Sequence, residues 1–151
     1  MQTKITANAQ ALKRWLSKAE VSLGNHSDRL NAINIFPVAD GDTGTNLYLT
    51  MRAASAAAAD LETQDIGELL SAAGRAAMEQ AKGNSGTLLS VFLTALAEPL
   101  QGNTRLSAPL LARSLERAQL RSWSVLSDPV PGTILSVLEE AARGASQVEA
   151  A

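Results

Sequence analysis

Cysteine is absent from this 151-residue chain, which excludes a disulfide framework and any thiolate metal site. Aromatic residues amount to 3%, and no segment sustains the apolar–polar alternation of a half-buried strand. Positive charge is not in excess. The formal net charge of -2 is near neutral and of the wrong sign for a nucleic-acid surface. Long apolar runs are missing too. The most apolar stretch, TLLSVFLTALAEPL (87–100), is broken by Glu98 and Pro99 and is too short to span a bilayer. The N-terminus, MQTKITANAQ, lacks the apolar core of a secretory signal, so a cytoplasmic location is expected.

What is present is alanine, leucine and helical spacing. Hydrophobic residues make up 46% of the chain, which suits one domain around one core. Ile5, Ala9, Leu12, Leu16, Ala19 and Leu23 recur at three- and four-residue intervals, predicting an amphipathic first helix that Gly24-Asn25 would end with a left-handed cap. Asp65 followed by Glu68 predicts a capping box for a helix running to about Lys82. Asn84 or Ser85 is expected to cap the next helix, which stops before Pro99. Ser107, with Pro109 in the first turn, opens another, and a last one is expected from Thr133. About six helices on short connections predict an all-α fold, an antiparallel barrel or bundle of amphipathic helices. It would occupy residues 1–143, with a frayed tail at 144–151. The tract RAASAAAAD (52–60) reads as the alanine-rich end of one helix, its small side chains permitting close helix approach.

The stretch NIFPVADGDTGTN (34–46) breaks this pattern. Asp40 and Asp42 bracket one glycine, and Asp-Gly pairs are common turn and cap residues. Carboxylates at i and i+2 can also converge on one point, where a hard divalent cation removes their repulsion. Mg²⁺ takes one or two carboxylates and completes its shell with water and phosphate. An EF-hand is excluded: with Asp40 at position 1, the glycine and glutamate positions hold Thr45 and Met51. No P-loop pattern occurs. Two further stretches place Gly with Ser or Thr at a helix start, AKGNSGTLLS (81–90) and DPVPGTILS (128–136). Each alone reads as a capped turn. Together with the paired aspartates they form the donor set of a nucleotide-phosphate site, since helix N-termini attract anions.

At these residues the chain resembles the ATP-binding domain of the dihydroxyacetone kinase superfamily, the DhaL or DAK2 type. It is most similar to the branch at the N-terminus of the bacterial fatty acid kinase catalytic subunit. The segments that carry the resemblance are LNAINIFPVADGDTGTNLYLTM, GRAAMEQAKGNSGTLLS and DPVPGTILSVLEEAA, from Leu30 to Ala142. It implies a helical barrel with ATP or ADP at one end and two Mg²⁺ ions held by Asp40 and Asp42, with Asn34 near the position of a third, acidic ligand in glycerone-type members. Thr43, Gly44, Thr45 and Asn46 would lie near the phosphates. Asn84, Ser85, Gly86 and Thr87 match the second nucleotide motif, and Gly132 and Thr133 the third. The reaction implied is phosphoryl transfer from Mg-ATP to a fatty acid carried by a separate DegV-like fatty-acid-binding protein. Further domains, expected beyond this chain, would carry any homodimer contact, and the barrel is expected to be incomplete at its C-terminus. No nucleic-acid partner and no membrane span are expected.

Several positions depart from the family pattern. Thr43 stands where glycerone kinases have His or Cys, which favours the fatty acid kinase branch. Pro131 precedes Gly132 where the family has Glu, and Glu139-Glu140 replace a usual Arg. Three other readings remain at this stage: a dihydroxyacetone kinase-type subunit, a module that holds ADP or ATP without turnover, or a helical scaffold whose Asp loop is only a turn. His26 reads as a surface loop residue, Trp15 and Trp123 as packing, and Lys82 as solvated. No residue presents itself as a general base.

Overall fold

The computed structural model describes residues 7–33 and 42–125. Every regular element among them is helical, as expected: α1 (Ala9–Ala32), α2 (Thr43–Asp60), α3 (Ile66–Gln80), α4 (Gly83–Ala97), a single 3-10 turn (Glu98–Leu100) and α5 (Ala108–Val125). Ile5, Asn34, Asp40, the third motif with Pro131, Gly132 and Thr133, the helix expected from Thr133, Glu139-Glu140 and the tail lie outside the described residues.

Each helix packs on the next in sequence, and α2 also packs on α4. α1 and α2 run antiparallel, and so do α3 and α4. The end of α1 meets the start of α2, where Asn31 bonds Thr45 and Gly24 lies against the Tyr48 ring. Gly67 and Gly74 of α3 face Gln101 and Thr94 in turn. The core runs through α1 (Leu12, Leu16), α2 (Met51, Ala54, Ala58), α3 (Ile66, Leu69, Ala73) and α4 (Leu93, Ala97). Alanines supply much of it, so the helix axes come close, as the alanine tract of α2 predicts. Ile66 and Leu69 are fully buried, each contributing about 1.5–3 kcal/mol relative to exposure. α1 and α5 do not pack on each other. Between them lies an open apolar groove of about 360 Å³, lined by Leu12, Trp15, Leu93, Leu96, Leu106 and Leu111 among others.

Two helix ends differ from expectation. α1 does not stop at Gly24-Asn25 but continues to Ala32, with Asn8 as its N-cap. The missing Cβ of Gly24 serves packing: a methyl group there would stand 3.1 Å from Tyr48 Cε2. His26 is therefore an exposed helix residue, its Nδ1 2.8 Å from the Ser22 carbonyl. α4 begins at Gly83 with Lys82 as N-cap, so Asn84 and Ser85 sit inside its first turn. Gly83 adopts φ +67°, a left-handed turn that glycine takes without strain, and it starts the helix earlier than a Ser or Asn cap would. Trp15 is 40% exposed at the groove. The Trp123 Nε1 is buried without a hydrogen-bond partner among the described residues.

Asp65 caps α3 as expected, accepting from the N–H groups of Gly67 (2.9 Å) and Glu68 (3.2 Å). The reciprocal half of the capping box is relayed. Asp65 N–H donates to Thr63 Oγ1, and that hydroxyl donates to Glu68. The second Asp65 oxygen accepts from Gly102 N–H at 2.9 Å, tying α3 to the turn before α5. Ser107 caps α5 through the Leu110 N–H. Replacing Asp65 removes both a cap and a cross-link, so Asp65→Ala is expected to lose about 2 kcal/mol. Urea unfolding should show this as a lower midpoint at unchanged slope.

Candidate functional site

α2 and α4 start at the same end of the bundle and run parallel. Gly83 faces Asn46, and one turn further on Gly86 faces Thr50. The structure thus brings together two motifs nearly forty residues apart, residues 42–46 and 83–87. Their first turns aim backbone N–H groups the same way. Such paired helix starts form an electropositive, donor-rich end that suits phosphate.

The glycines of both motifs set this geometry. A Cβ on Gly44 would overlap the Ser27 carbonyl and stand 2.8 Å from Leu30 Cβ. One on Gly83 would stand 2.7 Å from Asn46 Nδ2, and one on Gly86 2.8 Å from Thr50 Oγ1. Gly44 and Gly86 are buried, so their part is to let α2 approach α1 and α4 rather than to face solvent. Asn46 is 8% exposed and lies at the α2–α4 seam. Its carbonyl accepts from the Thr50 hydroxyl at 2.7 Å.

The residues that reach solvent at this end are Asp42, Thr45, Asn84 and Thr87, with Thr43 and Ser85 partly covered. Asp42 occupies the N-cap position of α2, but its side chain makes no cap bond to that helix. Asn31 takes over the capping. Its Oδ1 accepts from Thr45 N–H at 3.1 Å, and its Nδ2 donates to Thr45 Oγ1 at 2.9 Å. Sequence reasoning missed Asn31. It stands fourteen residues before Thr45, and a first helix ending at Gly24 left it in a loop without a partner. Lys82 is exposed, as expected, beside the start of α4.

Among the described residues no three His, Asp or Glu side chains cluster as a metal site. Asp42 is the one expected metal ligand they contain. The donors present, a carboxylate, hydroxyls, amides and helix N–H groups, are hard oxygen ligands and anion donors. They fit a magnesium nucleotide better than a softer metal.

Residues 37–151 of the chain match the DAK2 domain. The chain belongs to the DAK2 domain family. It is 36% identical over 126 residues to an uncharacterised protein of Staphylococcus saprophyticus, covering 83% of this chain and 23% of that protein. It is 33% identical over 138 residues to an uncharacterised protein of Staphylococcus aureus strain USA300, covering 91% of this chain and 25% of the relative. The chain thus spans about a quarter of the length of these relatives. Membership makes it a kinase-related nucleotide-binding domain of the kind that takes ADP or ATP. No described helix is long and apolar enough to cross a membrane.

Gly83 and Gly102 both have positive φ, but only Gly83 has a neighbour where its Cβ would go. Gly102→Ala is therefore expected to cost about 1 kcal/mol of backbone strain, and Gly83→Ala about 2–3 kcal/mol of strain plus displacement of Asn46. Chemical denaturation of the two variants measures the difference.

Proposed function

We propose that this DAK2 domain is the nucleotide-binding part of a fatty acid kinase, which forms acyl phosphate from a fatty acid presented by a separate DegV-like carrier. The observation that carries the reading is the parallel start of α2 and α4 at one end, with Asp42 at the head of α2. Asp42, Asp40 and Asn34 would hold two magnesium ions, which when bound neutralise and orient the phosphates. Thr43, Thr45, Asn84, Ser85 and Thr87 supply N–H and hydroxyl donors around the polyphosphate. Gly132 and Thr133 would contribute the third motif.

Catalysis of this kind is positioning plus charge stabilisation. A fatty acid carboxylate oxygen attacks the γ-phosphorus, the bond to the bridging oxygen breaks, and ADP leaves with the electron pair. The carboxylate is ionised at neutral pH, so no proton has to be removed. A hydroxyl acceptor would need a general base. His26, the single histidine, is an exposed residue of α1 bonded to its own helix. That favours the carboxylate acceptor over dihydroxyacetone.

Turnover tests the acceptor. The chain, joined to the remaining length of such a relative, should consume ATP when a fatty-acid-loaded carrier is supplied and not with dihydroxyacetone. Binding of ATP with no turnover on either would identify a nucleotide-holding module instead. Asp42→Ala should weaken Mg-ATP binding at least tenfold, about 1.4 kcal/mol, without unfolding the domain. Equal affinity of the two proteins by calorimetry would sink the metal assignment.

Ser85 provides an independent check. At the third position of α4 an aspartate favours the helix dipole, so Ser85→Asp should keep the melting temperature. Facing a polyphosphate, the new charge would cost on the order of 4 kcal/mol at about 4 Å and an effective dielectric of about 20. Screening and metal reduce this, but more than tenfold in ATP affinity should still be lost. Wild-type affinity in the variant would place the phosphates elsewhere.

A further inference from the structure

We infer that Asn31 is a positioning residue of the nucleotide site: capping α2 from α1, it sets where Asp42 and Thr45 stand. The inference rests on reading this end as a magnesium-nucleotide site. The first four N–H groups of a helix lack partners inside it, and the N-cap side chain ordinarily takes one of them. Asn8 and Asp65 do so for α1 and α3, each with extended backbone at the cap. α2 is built differently. Asp42 stands at the cap with ψ 6°, outside the extended region, and makes no such bond. The N–H that a cap would take, that of Thr45, goes instead to Asn31 Oδ1 across the α1–α2 contact.

The contact has two points, and only an amide fits both as they stand. Oδ1 accepts from a backbone N–H, and Nδ2 donates to the hydroxyl of the same residue. The backbone bond fixes which way the amide faces, since the flipped group would oppose two donors. One turn back on α1, the Ser27 carbonyl and Leu30 Cβ press on Gly44. Thr45 is thus clamped by Asn31 while Gly44 beside it rests on the α1 backbone. The start of α2 has no freedom to slide along α1 while both hold. Asp42 thus heads a helix whose first turn is seated on α1 through Gly44 and Thr45.

Calorimetry of Mg-ADP binding to the 151-residue chain tests the inference, together with the Mg²⁺ concentration that half-saturates binding at fixed ADP and the melting temperature without ligand. Asn31→Ala is expected to remain folded at the assay temperature, bind Mg-ADP about tenfold more weakly and need more Mg²⁺, a loss of about 1.4 kcal/mol. Asn31→Asp keeps an oxygen for the Thr45 N–H and can accept from the Thr45 hydroxyl, so it should bind within about threefold of wild type. Wild-type Mg-ADP affinity and Mg²⁺ requirement in Asn31→Ala, with only the melting temperature lowered, would make Asn31 a purely structural cap and overturn the inference. So would a loss in Asn31→Asp as large as in Asn31→Ala, or an Asn31→Ala chain that does not fold. Failure of the wild-type chain itself to bind Mg-ADP would remove the nucleotide reading first, and this inference with it.

Discussion

The head of this bundle depends on how closely α2 approaches two neighbours at once. At Gly44 its backbone rests on the backbone of α1, and at Gly83 and Gly86 the start of α4 rests on Asn46 and Thr50 of α2. Side chains at these three points would hold the helices apart by the width of a methyl group or more. Interiors are packed densely enough that such a displacement spreads into the surrounding contacts. The parallel start of α2 and α4, and with it the convergence of two sets of helix N–H groups, follows from those contacts. The glycines that a sequence reader assigns to phosphate contact, by analogy with glycine-rich loops, here set the distance between helices. The residues left facing solvent are Asp42, the threonines and Asn84.

The helices were legible because their apolar spacing is regular, and the ends were not. Gly24-Asn25 has the composition of a C-cap, and isolated helix physics favours stopping there by about 1 kcal/mol for the glycine alone. Tertiary contact reversed it: the Tyr48 ring fills the space over Gly24, with the Arg52 guanidinium 5.6 Å from the ring centroid. No local rule contains that ring, which arrives from a different helix. The same error hid Asn31, whose part becomes visible only when α1 is long enough to carry it to α2. At α4 the sequence offered two good cap residues, Asn84 and Ser85, and the structure used neither as a cap, because the positive φ of Gly83 turned the chain first. Where a cap was bonded locally, as at Asp65 and Ser107, it was read correctly. The pairing of two motifs was legible from their likeness to each other. Their relative placement, parallel and one turn in register, required the fold.

Polar side chains divide along the same lines. Thr50, Ser90 and Ser122 are fully buried, and each hydroxyl bonds a carbonyl three or four residues back in its own helix. This satisfies the group without reaching across the bundle. Asn31 and Asp65 instead bond across elements, one at each end of the bundle. Asp65 joins the start of α3 to the turn before α5, and Asn31 joins α1 to α2. These two cross-element caps sit at the ends, where helices leave unpaired amides, and the core is built of Leu, Ile, Met and Ala.

Formal charge is sparse at the end where α2 and α4 start. In residues 42–46 and 82–87 the formal charges are one aspartate and one lysine, which cancel. Two helix N-termini add roughly half a positive charge each, screened within about a turn. A nucleotide polyphosphate carries several negative charges, far more than this end can offset alone. A P-loop or an arginine clamp meets that demand with fixed side-chain cations. This seam has none in its two motifs beyond the exposed Lys82. Under the nucleotide reading, metal ions would supply part of that balance. Carboxylates at the head of α2 then make sense at a site meant for an anion: they repel the phosphates unless a divalent cation lies between. On that reading such a site would select the magnesium complex over the free nucleotide, and the geometry imposed by Gly44 and Asn31 would decide how well Asp42, the one proposed ligand among the described residues, takes part.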